Sequence, residues 1–115
     1  MKDKRKDFGS SGEDLAAKEL KRQGYTILCR NYRQKPGEID IIAKKADVVY
    51  FVEVKSKHSS DFATPADSVN AKKRKHIANT AMVWFMEHGE CESSFLVAEV
   101  DLTAKTVFFI DDFVL

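Results

Sequence analysis

The sequence predicts an α/β domain in which a mixed sheet is flanked by helices. Three observations carry that expectation. Five short runs rich in β-formers (residues 25–31, 38–44, 48–56, 94–101 and 106–110) are separated by turn chemistry. Two longer stretches (12–23 and 66–88) instead carry apolar residues at helical spacing. Their order is α-β-β-β-α-β-β, without an internal repeat or a low-complexity segment. At 115 residues the chain is long enough for one core without staples.

Taken in order, residues 1–9 read as a flexible charged arm and residues 10–115 as a single domain. In the first helix Glu13, Ala16, Ala17 and Leu20 fall at i, i+3, i+4 and i+7, which places an acid on the apolar stripe. Gly24 then takes the C′ position. Ser10-x-x-Glu13 also has the form of a capping box, a competing use for the same carboxylate. Residues 25–31 alternate weakly, and Gln34-Lys35-Pro36-Gly37 is a turn. The next two strands form a hairpin around Lys45-Ala46-Asp47, and 57–65 is a loop. Ala66, Val69, Ile77, Thr80 and Trp84 define one stripe of the long helix, with Lys73 inside it and Gly89 closing it. The last two strands turn at Thr103-Ala104-Lys105.

Composition excludes several classes. With 43% hydrophobic and 32% charged residues the chain reads as an ordinary soluble domain. No apolar run approaches the roughly 20 residues of a membrane span, and the polar N-terminus lacks the apolar core of a signal peptide. A cytoplasmic location without a membrane partner is therefore expected. Cys29 and Cys91 are too few for a disulfide framework or a cysteine zinc site, and His58, His76 and His88 lack zinc-ligand spacing. There is no glycine-rich phosphate loop and no nucleophile elbow. A net charge of +1 argues against a protein that coats nucleic acid by charge alone. It leaves room for an enzyme that touches nucleic acid on one side, through Lys72 to His76 and through Arg30, Arg33 and Lys35.

The charged residues inside the hairpin are the candidate site. Val48, Val49, Tyr50, Phe51, Val52 and Val54 form an almost continuous apolar run, so Glu53 and Lys55 are costly to desolvate unless paired or holding a metal. Alternation puts Glu53 and Lys55 on one face of their strand, and Glu38 and Asp40 on one face of the preceding strand. The bland alternatives are a solvated edge pair for Glu53 and Lys55, a structural ion pair for Asp40, and a snorkelling stem for Lys73. Glu38, beside the Pro-Gly turn, is a weaker candidate than Asp40. Two acids from adjacent strands, a third from the helix and one lysine make a hard-oxygen site suited to Mg²⁺ or Mn²⁺, with the carbonyl of Val54 as a further ligand. Such an ion with Lys55 supports phosphodiester hydrolysis, and Arg30, Arg33, Lys57, Lys72 and Arg74 are the basic residues placed to hold the backbone.

Asp40 followed by Glu53-x-Lys55, with Glu13 on an earlier helix, resembles the PD-(D/E)XK nuclease superfamily, whose core is α-β-β-β-α-β. More closely, Gly12-Glu13, Gly24-Tyr25, Asn31-Tyr32-Arg33, Gly37-Glu38-Ile39-Asp40, Phe51-Val52-Glu53-Val54-Lys55 and residues 69–73 resemble the YraN-like (UPF0102) family of predicted endonucleases. The resemblance covers about residues 8–90. It implies a restriction-endonuclease-like fold with Glu13, Asp40 and Glu53 as metal ligands, Lys55 as the catalytic lysine and Lys73 as an assisting helix residue. The partner it implies is nucleic acid, DNA ahead of RNA. Archaeal Holliday-junction resolvases share the arrangement and act as dimers, which suggests branched DNA and homodimerisation. Ile39 stands where the superfamily has proline, which leaves the acid in place. Ser56-Lys57 and Ala63 after Phe62 depart from the family pattern and bear on substrate contacts of the loop. The competing class is a non-catalytic nucleic-acid- or partner-binding module that retains the site.

Overall fold

A computed structural model describes residues 4–58 and 71–113, with side chains for 11–58 and 71–111. Helix α1 (Lys4–Arg22) precedes β1 (Thr26–Gln34), β2 (Gly37–Lys45) and β3 (Val48–Lys57). Helix α2 (Ala71–His88), β4 (Ser93–Asp101) and β5 (Thr106–Phe113) follow. The strands make one sheet in the order β1-β2-β3-β4-β5, parallel at β3–β4 and antiparallel elsewhere. The crossover through α2 is what makes β3 and β4 parallel. The result is a mixed α/β domain with an α-β-β-β-α-β core and one further strand, as expected.

Each helix covers one sheet face. Ala16, Ala17 and Leu20 of α1 pack with Ile41, Ala43, Val52, Leu96, Ala98 and Val100. Ile77, Ala81 and Trp84 of α2 pack with Tyr32, Ile39, Ile42, Val49, Phe51 and Phe95. Strand β3 divides as its period-2 pattern predicts, Val49 and Phe51 toward α2 and Val52 toward α1. Both faces of β3 are therefore covered, and Glu53 is buried with 6% of its surface exposed.

The helix ends follow their caps. Gly24 has φ +97° and donates to the carbonyl of Lys21, while Tyr25 N–H donates to Leu20, the paired bonds of a Schellman ending. The start of α1 differs from expectation. The helix begins at Lys4, about two turns before Gly12. Ser10 therefore lies within the helix, and its backbone is not an N-cap. Gly9-Ser10-Ser11-Gly12 resembles a break, yet residues 4–12 contain no proline, so nothing forbids helical continuation. Strand β1 runs on to Gln34 because it pairs with β2 up to the two-residue turn at Lys35-Pro36. Strand β5 continues to Phe113, which pairs with Phe95. Lys57 belongs to β3 rather than to a loop. Residues 59–65 of that loop, with Phe62-Ala63, and Ala66 and Val69 of the helix stripe lie outside the described residues.

One contact fixes the height of α1 above the sheet. A Cβ added to Gly12 would stand 1.7 Å from Ser56 Oγ and 2.8 Å from Ser56 Cβ. Replacing a helical glycine with alanine ordinarily gains about 0.5–1 kcal/mol, but here overpacking costs about 1–3 kcal/mol. Gly12→Ala should lower the urea midpoint at unchanged slope, and Ser56→Gly in the same chain should recover part of the loss. Strictly additive effects of the two substitutions would contradict the contact.

Candidate active site

The site forms where β2 leaves β3. The β2–β3 ladder runs from Lys45↔Val48 to Ile41↔Val52. Beyond it β2 continues to pair with β1 alone, through Tyr32↔Ile39, Arg33↔Glu38 and Gln34↔Gly37. Side-chain alternation slips at the same place, since Ile39 packs on the α2 side while Ile41 packs on the α1 side. The slip turns Asp40 toward β3, where its Oδ2 accepts the backbone N–H of Val54 at 2.8 Å. A side-chain oxygen thus satisfies an amide left over at the end of the ladder. Glu38 and Asp40 both line the resulting cleft.

The departing end of β2 lies against α2. A Cβ on Gly37 would stand 3.2 Å from Thr80 Oγ1 and 3.4 Å from His76 Cβ, so only a small residue allows this approach. Between β2, β3 and α2 lies a cleft of about 220 Å³ lined by Gly37, Glu38, Asp40, Glu53, Lys73, His76 and Ile77. Lys73 reaches it because it stands one turn before Ile77 on the buried stripe, and its Nζ pairs with Glu53 Oε1.

Acids outnumber the cations paired with them. Among the described residues no cation forms an ion pair with Asp40. Burial and then the charge of Glu53 push its carboxyl from 3.8 up to about 7; the Val54 amide opposes this, and Glu13 and Glu38 add to it. Lys55 is shifted the other way, its ammonium pKa lowered by burial and then by Lys73 and Lys57, with Glu53 and Glu99 opposing. Glu13, 8% exposed, is already engaged. Its Oε1 accepts Arg30 Nε at 2.8 Å and Asn31 Nδ2 at 3.1 Å. A second Arg30 nitrogen reaches Asp14 at 2.6 Å. Asn31 adopts a left-handed backbone, φ 55°.

The structure therefore brings Asp40, Glu53 and Lys73 to one cleft, with Val54 supplying its amide and Lys55 beside them through its charge coupling. Glu13 is close enough to raise Asp40 but does not line the cleft. Among the described residues no three His, Cys, Asp or Glu side chains are grouped to hold an ion. Of the three acids lining the cleft Glu38 is paired with Arg33, so Asp40 and Glu53 are the ones that could hold a hard cation, while Glu13 is tied to Arg30. Of the basic residues, Arg30 is committed to Glu13 and Asp14, and Arg33 pairs with Glu38 at 3.2 Å. Lys72 is exposed, and Lys57 and Arg74 are half-buried. His76 was not singled out as a site residue from the sequence. Its position three residues after Lys73 was the available signal.

Residues 12–102 match the family described as Uncharacterised protein family UPF0102. The chain belongs to this family. A UPF0102 protein of Clostridium perfringens is 48% identical over 81 residues, covering 70% of this chain and 66% of that protein. The chain thus spans just under two thirds of that relative's length. A UPF0102 protein of Caldicellulosiruptor saccharolyticus is 39% identical over 103 residues, 88% of this chain and 87% of that protein. One from Desulfosudis oleivorans is 40% identical over 90 residues, covering 78% and 73%. The UPF0102 segment contains Glu13, Asp40, Glu53, Lys55 and Lys73, and ends before β5 begins at Thr106. Among the described residues no helix is long and apolar enough to cross a membrane.

Raising a folded-state pKa stabilises the protein while the group is protonated. The contribution of Asp40 is full below about pH 4 and is lost as pH rises through about 7. Asp40→Asn keeps an acceptor for Val54 and removes the titration. Its stability relative to the parent should rise between pH 4 and pH 8 by up to about 4 kcal/mol, at about 1.4 per pKa unit, measured by urea unfolding at each pH. A pH-independent difference would rule out the shift.

Proposed function

We propose that this UPF0102 chain is a metal-dependent nuclease that hydrolyses nucleic-acid phosphodiesters. The observation that carries the reading is that the half-buried Asp40 and the buried Glu53 share an open cleft, where burial and then the charge of Glu53 raise the Asp40 carboxyl to about 7 and no cation pairs with it among the described residues. Strongly shifted carboxyls in clefts cluster at functional sites. Asp40 and Glu53 would hold Mg²⁺ or Mn²⁺, which when bound polarises a phosphoryl oxygen and acidifies a bound water. The rest belongs to the chain. The Val54 amide fixes the orientation of Asp40. Lys73 neutralises Glu53. Lys55, whose lowered pKa eases proton loss, orients the attacking water and offsets charge on the phosphoryl oxygens. Lys57, Lys72 and Arg74 supply phosphate contacts, and Arg30 and Arg33 do so where they exchange their acidic partners for phosphate. A cytoplasmic enzyme acting on DNA in preference to RNA completes the reading.

A second reading, a nucleic-acid- or partner-binding module that retains the site without turnover, is favoured by one observation. Glu13 and Glu53 already have cationic partners, and no three-acid group is present among the described residues. The two are separated by calorimetry with Mn²⁺ and by incubation with Mn²⁺ and linear, single-stranded and four-way-junction DNA. For the nuclease, Lys55→Ala should retain Mn²⁺ binding and lose cleavage by at least about 10²-fold, while Asp40→Asn should lose both. Nucleic-acid binding that survives Lys55→Ala, with no cleavage of any substrate by the parent protein, would establish the module instead.

A further inference from the structure

The sheet has two edges, β1 and β5, and they are treated differently. Strand β1 carries Arg30 and Arg33, a register break between Ile27 and Cys29, and the left-handed Asn31. These features blunt an edge against further pairing. Strand β5 pairs with β4 in unbroken register from Thr106 to Asp111, shifts register only beyond it, and contains no lysine, arginine or proline; its charges are confined to Asp111 and Asp112. Its Val107 and Phe109 pack into the α1 cluster. On the opposite face Phe108 is 66% exposed and Ile110 37%. Helix α2 packs mainly over β1 and β2, so that end of the face stays open. A regular edge strand bearing large exposed apolar side chains is a surface for association.

We infer that β5 is a dimerisation edge and that its occupant is β5 of a second copy of this chain, paired antiparallel about a two-fold axis normal to the sheet. The charges select that occupant. Lys105, the left-handed turn residue just before the strand, and Asp111 toward its far end are both exposed. Antiparallel pairing centred on Phe108 sets each Lys105 against the partner copy's acidic end, whereas parallel pairing aligns like charges. Opposed residues of an antiparallel ladder share a face. Phe108 therefore meets its own counterpart, Thr106 meets Ile110, and Val107 meets Phe109, extending the apolar layer under α1. A net charge of +1 opposes self-association little. An unpaired nucleic-acid base stacked on Phe108 is the competing occupant, but Phe108 sits opposite Glu99, an acid that repels phosphate. The dimer doubles the five-stranded sheet. It sets the two β3 strands five spacings apart, about 24 Å, with both clefts opening on one face.

Sedimentation equilibrium of the full chain tests this. The parent protein should have twice the 13.1 kDa monomer mass. Phe108→Lys should be monomeric with an unchanged circular dichroism spectrum. Lys105→Asp should weaken the dimer by roughly tenfold, and adding Asp111→Lys should restore it. If Phe108→Lys does not fold, the charge swap decides alone. A parent protein that is monomeric at every concentration, or a dimer that survives both single substitutions, overturns the inference. So does a Phe108→Lys protein of unaltered mass that has lost affinity for single-stranded DNA.

Discussion

The bond from the Val54 amide to Asp40 is the hinge of this structure. A strand that leaves its ladder exposes donors and acceptors, and in a buried sheet each unmet one costs about 1–3 kcal/mol. Because a carboxylate from the departing strand meets the first orphaned amide, β2 can swing toward α2 at little cost. The cleft is the space that swing leaves behind. Gly37 permits the approach to α2, and Ile39 follows by changing faces. The site is thus a by-product of a sheet irregularity that one hydrogen bond makes tolerable.

Electrostatics then explains why the irregularity looks functional. Glu53 and Glu13 each have a cation drawn from another element, Lys73 from α2 and Arg30 from β1. Asp40 has an amide and three acids within electrostatic reach, and burial together with those acids pushes its carboxyl up to about 7. A folded domain gains nothing from that arrangement. It costs stability at neutral pH, which a site built to receive positive charge, as proposed above, would recover on binding.

Much of this was legible in the sequence, for identifiable reasons. The stripe Glu13-Ala16-Ala17-Leu20 and the stripe Lys73-Ile77-Thr80-Trp84 obey helical periodicity, and both proved to face the sheet. The β2–β3 hairpin and the two-sided burial of β3 followed from an apolar run bounded by turn residues. Three things were hidden. Gly9-Ser10-Ser11-Gly12 carries the local chemistry of a break but lies inside a helix, because tertiary packing overrides weak propensity. The hydrogen bond of Asp40 to the Val54 amide could not be had from alternation, because it arises where β2 has already left the ladder. Arg30 was legible as a cation but not as the partner of Glu13, since seventeen residues and a change of element separate them.

Helix α1 touches β3 at Gly12 with almost no clearance, one residue from Glu13. That contact makes a fulcrum. Lys4 and Arg22 lie roughly 12–15 Å along the axis on either side of it. A tilt of about 10° about Gly12 would carry either end by roughly 2 Å, yet displace Glu13 by only a few tenths of an ångström, given a rise of about 1.5 Å per residue. Ala16, Ala17 and Leu20, buried against the sheet, resist such a tilt, so the pivot and the packed stripe together hold the carboxylate in place.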